Sequence, residues 1–318
     1  MQSDEEIERL IDESMSFYMK HYDLKFWRIA PDEPKIILGR ANENQCRFCR
    51  KTAPEVKFKN IAHAIPEALG NNTIFTRYEC DDCNQLFGNT IENDFGNWFL
   101  PRKVFAGLRG KNKYPTFKSR DKKSRIDWSD QGMHVDHQED SDFFVVDEIN
   151  KTLQFDMDVP SYVPSNVWKT FIKMGISLVE DEKYRYFGDA VAWLMGSLRP
   201  EEIVRTLPIQ SYTMPGPSRA SSIIVSMLYR NNDYLKLPYA MLVVHYGMQS
   251  FQINIPSATK DFAVEIDGLE MPILPLFSAE EVKKYGIPQL KELDLSGDQL
   301  VRGEKLIFKG TYGDRGDL

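Results

Sequence analysis

The sequence predicts an α+β fold in which a small metal-stapled ββα block precedes a larger mixed domain. Three observations carry this expectation. All four cysteines fall in two Cys-x-x-Cys pairs near the N-terminal third. The stretch between and after them reads as strand, turn, strand and helix. The last 170 or so residues mix helical and strand patterns with no internal repeat. A chain of 318 residues, 42% hydrophobic and 27% charged, is ordinary globular material with enough apolar surface for a sizeable core. This composition excludes low-complexity disorder and a disulfide-dense scaffold. No run approaches the roughly 18 apolar residues of a membrane span, and the start of the chain lacks a signal-peptide pattern. A soluble, cytoplasmic protein without a membrane partner is therefore expected.

Residues 1–44 comprise a helix over 3–20 and a connector. Ser3 with Glu6 forms a capping-box pattern, and Ile7, Leu10, Ile11 and Phe17 lie near one face. Pro31, Pro34 and two asparagines mark residues 30–44 as irregular. Residues 45–100 hold the informative block. Phe58–Ile65 and Thr73–Tyr78 alternate as two short strands, with Pro66 and Gly70-Asn71-Asn72 supplying the turn. From Asn84, the residues Leu86, Phe87, Ile91, Phe95 and Phe99 recur at helical spacing. Residues 101–141 have few apolar anchors and read as a linker or surface excursion. In 142–318, helices are expected around Val167–Ile176 and Tyr184–Leu194, and strands at 223–228, 239–245, 251–255 and 306–308. A short helix opens at Ser278 with Glu281.

Cys46-Arg-Phe-Cys49 and Cys80-Asp-Asp-Cys83 lie thirty residues apart. Two such knuckles present four thiolates to one tetrahedral ion, the donor set of a structural zinc site. A closed four-thiolate shell has no open position, so this Zn²⁺ holds the block without doing chemistry. Four unrelated thiols or two redox pairs are the alternatives.

The net charge of −7 would disfavour nucleic acid if it were evenly spread, but it is not. Residues 101–127 carry 10 Lys/Arg against 2 Asp/Glu, a net of +8, whereas residues 1–100 stand at −5 (12 against 17) and 128–318 at −10 (18 against 28). The basic residues are Arg102, Lys103, Arg109, Lys111, Lys113, Lys118, Arg120, Lys122, Lys123 and Arg125, interleaved with Tyr114 and Phe117. Such a segment suits a phosphate backbone, with base stacking as an addition, and DNA is the expected partner. A solvated loop is the plainer alternative. His134-Val-Asp-His137 reads as an exposed loop, His245 as a satisfied core residue, and Trp168 and Trp193 as core.

Between the knuckles stands His63-Ala-Ile-Pro66 with Leu69-Gly70, and Cys83-Asn84 opens the helix. Here the chain resembles the HNH endonucleases whose ββα-metal motif is framed by two Cys-x-x-Cys knuckles. The resemblance covers about residues 45–98, under a fifth of the chain. It implies a metal-dependent endonuclease cutting phosphodiester bonds, with His63 as general base and Asn84 at a ligand position. Phosphodiester hydrolysis needs an activated water and a cation on the scissile phosphate, and Mg²⁺ or Mn²⁺ suits an oxygen-rich site. A neutral imidazole is a suitable base near pH 7. Ala62 stands where the family usually has an acid or His ligand, a departure from its pattern. Glu92 and Asp94 are further ligand candidates on the helix. Asn84 and Glu92 are about 12 Å apart along a straight axis, so sharing one ion would need a bend, with Gly88 as its site. Glu79 and Asp82 read as solvated or capping residues. Asn71 and Asn72 are nearest to the position that orients the base, and turn formation explains them equally well.

The C-terminal part carries no motif that points to chemistry and is expected to target, sense an activating ligand or partner protein, or form a homodimer. Family analogy suggests a bacterial or phage defence setting. A non-catalytic zinc-stapled binding module and an RNA-directed nuclease stay open beside DNA cleavage.

Overall fold

The computed structural model describes residues 4–110, 114–138, 141–198, 208–216, 220–264 and 269–311. Among them no helix is long and apolar enough to cross a membrane. Ser3, the expected cap of the first helix, lies outside these residues, as do Lys111 and Lys113. Helix α1 (Asp4–His21) runs into strand β1 (Tyr22–Ala30). Strand β2 (Ile36–Leu38) falls within the stretch expected as connector. Its three residues were too few to show a period. Strands β3 (Ala62–His63) and β4 (Ile74–Thr76) then lead to helices α2 (Asp81–Asn89) and α3 (Ile91–Phe105). β4 pairs antiparallel with β3 and parallel with β2. The expected single helix is thus two, and the break falls at Thr90 (φ −123°, ψ −93°) rather than at Gly88.

The described residues of 101–141 hold more regular structure than the expected linker or surface excursion. The first five continue α3, and strands β5 (Phe117–Lys118), β6 (Ser124–Ser129) and β7 (Gly132–His137) make an antiparallel sheet. Phe117, Ser124 and Ile126 point inward between exposed Lys118 and Arg125, so the basic residues occupy the outer face of a period-2 pattern. His134-Val-Asp-His137 is accordingly the outer strand of a hairpin, not a loop. Strands β8 (Phe144–Asp147) and β9 (Thr152–Asp158) follow, and Val104, Phe117, Ile126, Phe143, Phe155 and Met157 close a local core.

Helix α4 (Pro164–Leu178) is buried over most of its length, and α5 (Gly188–Leu194) follows. Trp168 on α4 meets Trp193 on α5 edge to face at 4.7 Å. Strands β10 (Ile209–Thr213), β11 (Ile223–Arg230), β12 (Ala240–Tyr246) and β13 (Gln249–Ile255) come next. The last described elements are α6 (Ala258–Asp261), α7 (Ala279–Tyr285), β14 (Gln289–Leu293) and β15 (Lys305–Thr311). The expected Ser278–Glu281 capping box is formed at α7. The main sheet runs β1-β11-β12-β13-β10-β14, antiparallel throughout, and β15 pairs with β9. Gly247, at φ +50°, turns β12 into β13.

Helix α4 joins this sheet to the ββα block. Phe171 packs edge-on against Phe95 at 5.2 Å and lies 5.5 Å from Phe251 of β13. Trp98 and Phe99 of α3 touch Phe251 and Tyr246 at 5.7 and 5.1 Å. One buried cluster therefore runs from the cysteines through α3 and α4 to the sheet. α4 can lie this close because Gly175 faces Ile255. A Cβ there would stand 2.4 Å from the Ile255 Cδ1.

His245 is buried at the Phe277 ring, but its Nδ1 has no hydrogen-bond partner among the described residues, so it is not the satisfied core histidine expected. Burial pushes its pKa down to about 4, with Glu281 opposing. Between pH 6.5 and 4 the unfolded chain therefore binds the extra proton, and stability is lost as pH falls through that window. The loss attributable to His245 is about 3 kcal/mol at pH 4. Asp261, pushed up by burial to about 6, slopes the other way. The comparison of wild type with His245→Leu isolates the imidazole. Urea midpoints taken from pH 7 to 4 are expected to fall less in the variant, and parallel profiles would refute this.

Candidate active site and metal centre

The two knuckles converge because short turns hold each. The Arg50 amide donates to the Cys46 carbonyl at 3.0 Å, with Arg50 at φ +64°, and the Asn84 amide donates to the Cys80 carbonyl at 3.0 Å. All four Sγ atoms lie within 4.8 Å of one another. The 3.8 Å between Cys49 and Cys80 Sγ is the separation that tetrahedral bonds of about 2.3 Å would impose, roughly 3.8 Å. The donor set and its spacing fit zinc. The sulfurs also crowd one another. Cys46 is held low, to about 5, chiefly by hydrogen bonding from Cys83, while burial pushes Cys80 up and Cys46 pushes Cys83 up. Without a cation the group cannot carry four thiolates; with one it can.

Between the knuckles, Asn71 ties the loop. Its buried Nδ2 donates to the carbonyls of Ile65 (2.6 Å) and Ile74 (2.9 Å), and its Oδ1 accepts from the amides of Thr73 and Ile74. This is turn construction. Gly70 closes the same loop in the left-handed region at φ +81°. In the short β3–β4 ladder Ala62 opposes Thr76 and His63 opposes Phe75. Ala62 is buried and His63 half-buried, so the imidazole stands on the other face of the ladder from Ala62. Its ring lies 4.6 Å from Phe75, tilted by 35°. Asn84, in the first turns of α2, is half-buried.

Glu92 and Asp94 are drawn elsewhere. Asp94 Oδ2 accepts from the Val163 amide (3.2 Å) and Asn166 Nδ2 (2.7 Å), which ties α3 to the start of α4. Glu92 Oε1 receives a hydrogen bond from Lys173 Nζ at 2.8 Å. Among the described residues, the cysteines are the one group of three or more His, Cys, Asp or Glu side chains gathered closely enough for a metal. His63, Glu92 and Asp94 do not form another.

Lys173 escaped the sequence reading because it is one lysine in an apolar helix. Its side chain is 1% exposed, and its ammonium donates to the His63 carbonyl at 2.9 Å and lies 3.0 Å from Glu79 Oε2. Glu79 is therefore not solvated: its carboxylate is fully buried. Burial pushes Glu79 up to about 7, against the pull of Lys173. Burial would lower Lys173, but Glu79 and Glu92 outweigh it and hold the ammonium above its usual range. Arg47, inside the first knuckle, reaches the other end of α4. Nη1 donates to the Ile176 and Val179 carbonyls at 3.1 and 2.7 Å, and Nη2 to Asp181 at 2.6 Å.

The basic residues divide. Arg102 stacks on Trp98 at 4.0 Å and donates to its carbonyl, and Lys103 donates to the Glu67 carbonyl; burial lowers both pKa values. Arg125 pairs with Asp127, and Arg120 lies 3.8 Å from Asp158. Arg109, Lys118 and Lys122 are exposed, while Lys123 is half-buried. Lys118 and Arg120, with Arg302, line a cleft of about 590 Å³.

No curated protein and no solved structure matched the chain. One family model did: residues 46–100, the zinc-competent knuckles with β3, β4, α2 and most of α3, match HNH endonuclease.

Proposed function

We propose that the chain is a metal-dependent endonuclease that hydrolyses phosphodiester bonds in DNA. The observation that carries this reading is His63, half-buried on β3 in a cysteine-clamped block that matches HNH endonuclease. His63 would take the proton of the attacking water. Cys46, Cys49, Cys80 and Cys83 would hold structural zinc. Asn84 offers a hard carboxamide oxygen to Mg²⁺ or Mn²⁺, a donor set suited to an ion that keeps most of its waters and takes the rest of its shell from substrate phosphate. Bound there, the ion would supply charge stabilisation at the scissile phosphate. Glu92 and Asp94 are committed to α4 and are not needed in that shell.

Arg109, after α3, and Lys118, Lys122 and Lys123, on the β5–β6 segment, would follow the phosphate backbone. One such site cuts one strand, so a homodimer would cut both. The sheet domain would receive an activating ligand or partner, and a cytoplasmic role in bacterial or phage defence belongs to the same reading by family analogy. A zinc-stapled nucleic-acid or protein-binding module without hydrolysis is the second reading, and Ala62 is what favours it.

Supercoiled plasmid and a labelled RNA, each incubated with Mg²⁺ or Mn²⁺ and without either, test these readings. Nicking or linearisation that requires the added ion is expected, with a loss on the order of 100-fold in His63→Ala. Cleavage that survives in the variant would overturn the role of His63. Plasmid binding without cleavage by wild type would favour the binding module, and cleavage of RNA alone would overturn DNA as substrate.

A further inference from the structure

We infer that Lys173 is a positioning residue for His63, an inference that rests on the hydrolytic reading above. Its ammonium joins three parts of the knuckle block at one point. These are the His63 carbonyl on β3 (2.9 Å), the Glu79 carboxylate just before the second knuckle (3.0 Å) and Glu92 on α3 (2.8 Å). The lysine itself belongs to α4, over a hundred residues beyond His63 and packed on the main sheet through Phe171 and Phe251. β3 is only two residues long and pairs with one neighbour, so its own ladder holds His63 weakly. The hydrogen bond from Lys173 to the His63 carbonyl supplies a second, independent restraint on that main chain.

Packing alone does not explain a lysine here. A buried ion cluster is commonly no more stabilising than apolar residues of the same volume, whereas a charge fixed to a carbonyl gives direction. Displacing a general base by an ångström costs far more in rate than in substrate binding. Through Lys173, the placement of α4 on the sheet becomes the placement of His63. The sheet domain is then a built part of the active site's support.

The test is the double variant Lys173→Met/Glu79→Gln. It keeps the volume, leaves no buried unpaired charge, and leaves Glu92, which is partly exposed at 19%, free to meet solvent. Zinc content and urea midpoint establish that the variant is folded. With Mg²⁺ and plasmid, kcat is expected to fall at least about 10-fold with KM unchanged. In protein labelled with ¹³C at the histidine carbonyl, the His63 resonance is expected to move while that of His134 stays. A folded variant with unaltered kcat, or with an unmoved His63 resonance, would overturn the inference. Wild type that cleaves no substrate would instead sink the hydrolytic reading, and the resonance would then decide the contact separately.

Discussion

Stripping zinc from the four-cysteine site, or replacing Cys83 with serine, is expected to unfold residues 46–100 and to abolish cooperative unfolding of the whole chain. The block's strands are two and three residues long, far too short to stand alone. Structural zinc contributes roughly 10–16 kcal/mol to small zinc domains, as much as the entire stability of an ordinary protein. The loss would not stay local. Phe48 of the first knuckle packs on Phe87 of α2 at 4.9 Å, and the same buried cluster continues through Phe95 and Trp98 to Phe171 and Phe251. Elemental analysis should find one zinc per chain in wild type. Thermal unfolding followed by circular dichroism, with and without a high-affinity chelator, should show the native transition only in the metal-loaded protein. A chain that carries no zinc, or one whose transition is indifferent to the chelator, would refute the structural role.

How well the sequence foretold this structure depended on how local each feature is. The knuckles were legible because each is a four-residue turn with an unmistakable donor, and the structure brings all four sulfurs together. Phe87, Ile91, Phe95 and Phe99 were legible because their spacing of four is the helix period, and all four are buried. The same spacing hid the break at Thr90, since two helices in nearly continuous register leave the apolar pattern undisturbed. What escaped was long-range. β2 is defined by its pairing with β4, nearly forty residues on, and β1 by its pairing with β11, two hundred residues away. The β5–β7 sheet was masked by its outer face, whose lysines and arginines drowned a thin line of Phe117 and Ile126. Glu79 and Lys173 look unremarkable in their own neighbourhoods, and only the fold turns them into a buried pair. The same holds for Asp94, an acid at a ligand-like position that the fold uses to tie α3 to the start of α4.

Arg47→Met is expected to destabilise the protein by about 3 kcal/mol while leaving the zinc in place. The side chain is 6% exposed, and its guanidinium lies 3.2 Å over the Tyr78 ring. It satisfies two carbonyls at the C-terminal end of α4, where cationic charge also meets the negative end of the helix dipole. Methionine would fill part of the volume but donate nothing. The Ile176 and Val179 carbonyls would lose a charged donor that water cannot readily replace, and hydrogen bonds to charged groups are worth about 1.5–3 kcal/mol each. The ion pair with Asp181 is the minor part, because that side chain is 48% exposed and water solvates it when the arginine leaves. Asp181→Asn should therefore cost well under about 1 kcal/mol. Urea midpoints at constant slope for the two variants check both figures. Equal losses would show that the carboxylate, not the helix end, is what Arg47 serves. A large loss for Arg47→Met alone would establish that the first knuckle clamps α4 at one end as Asp94 ties it at the other. On that outcome, a zinc ion on the knuckles would hold more than its own block: by fixing Arg47 it would fix the helix on which the main sheet and the knuckle block meet.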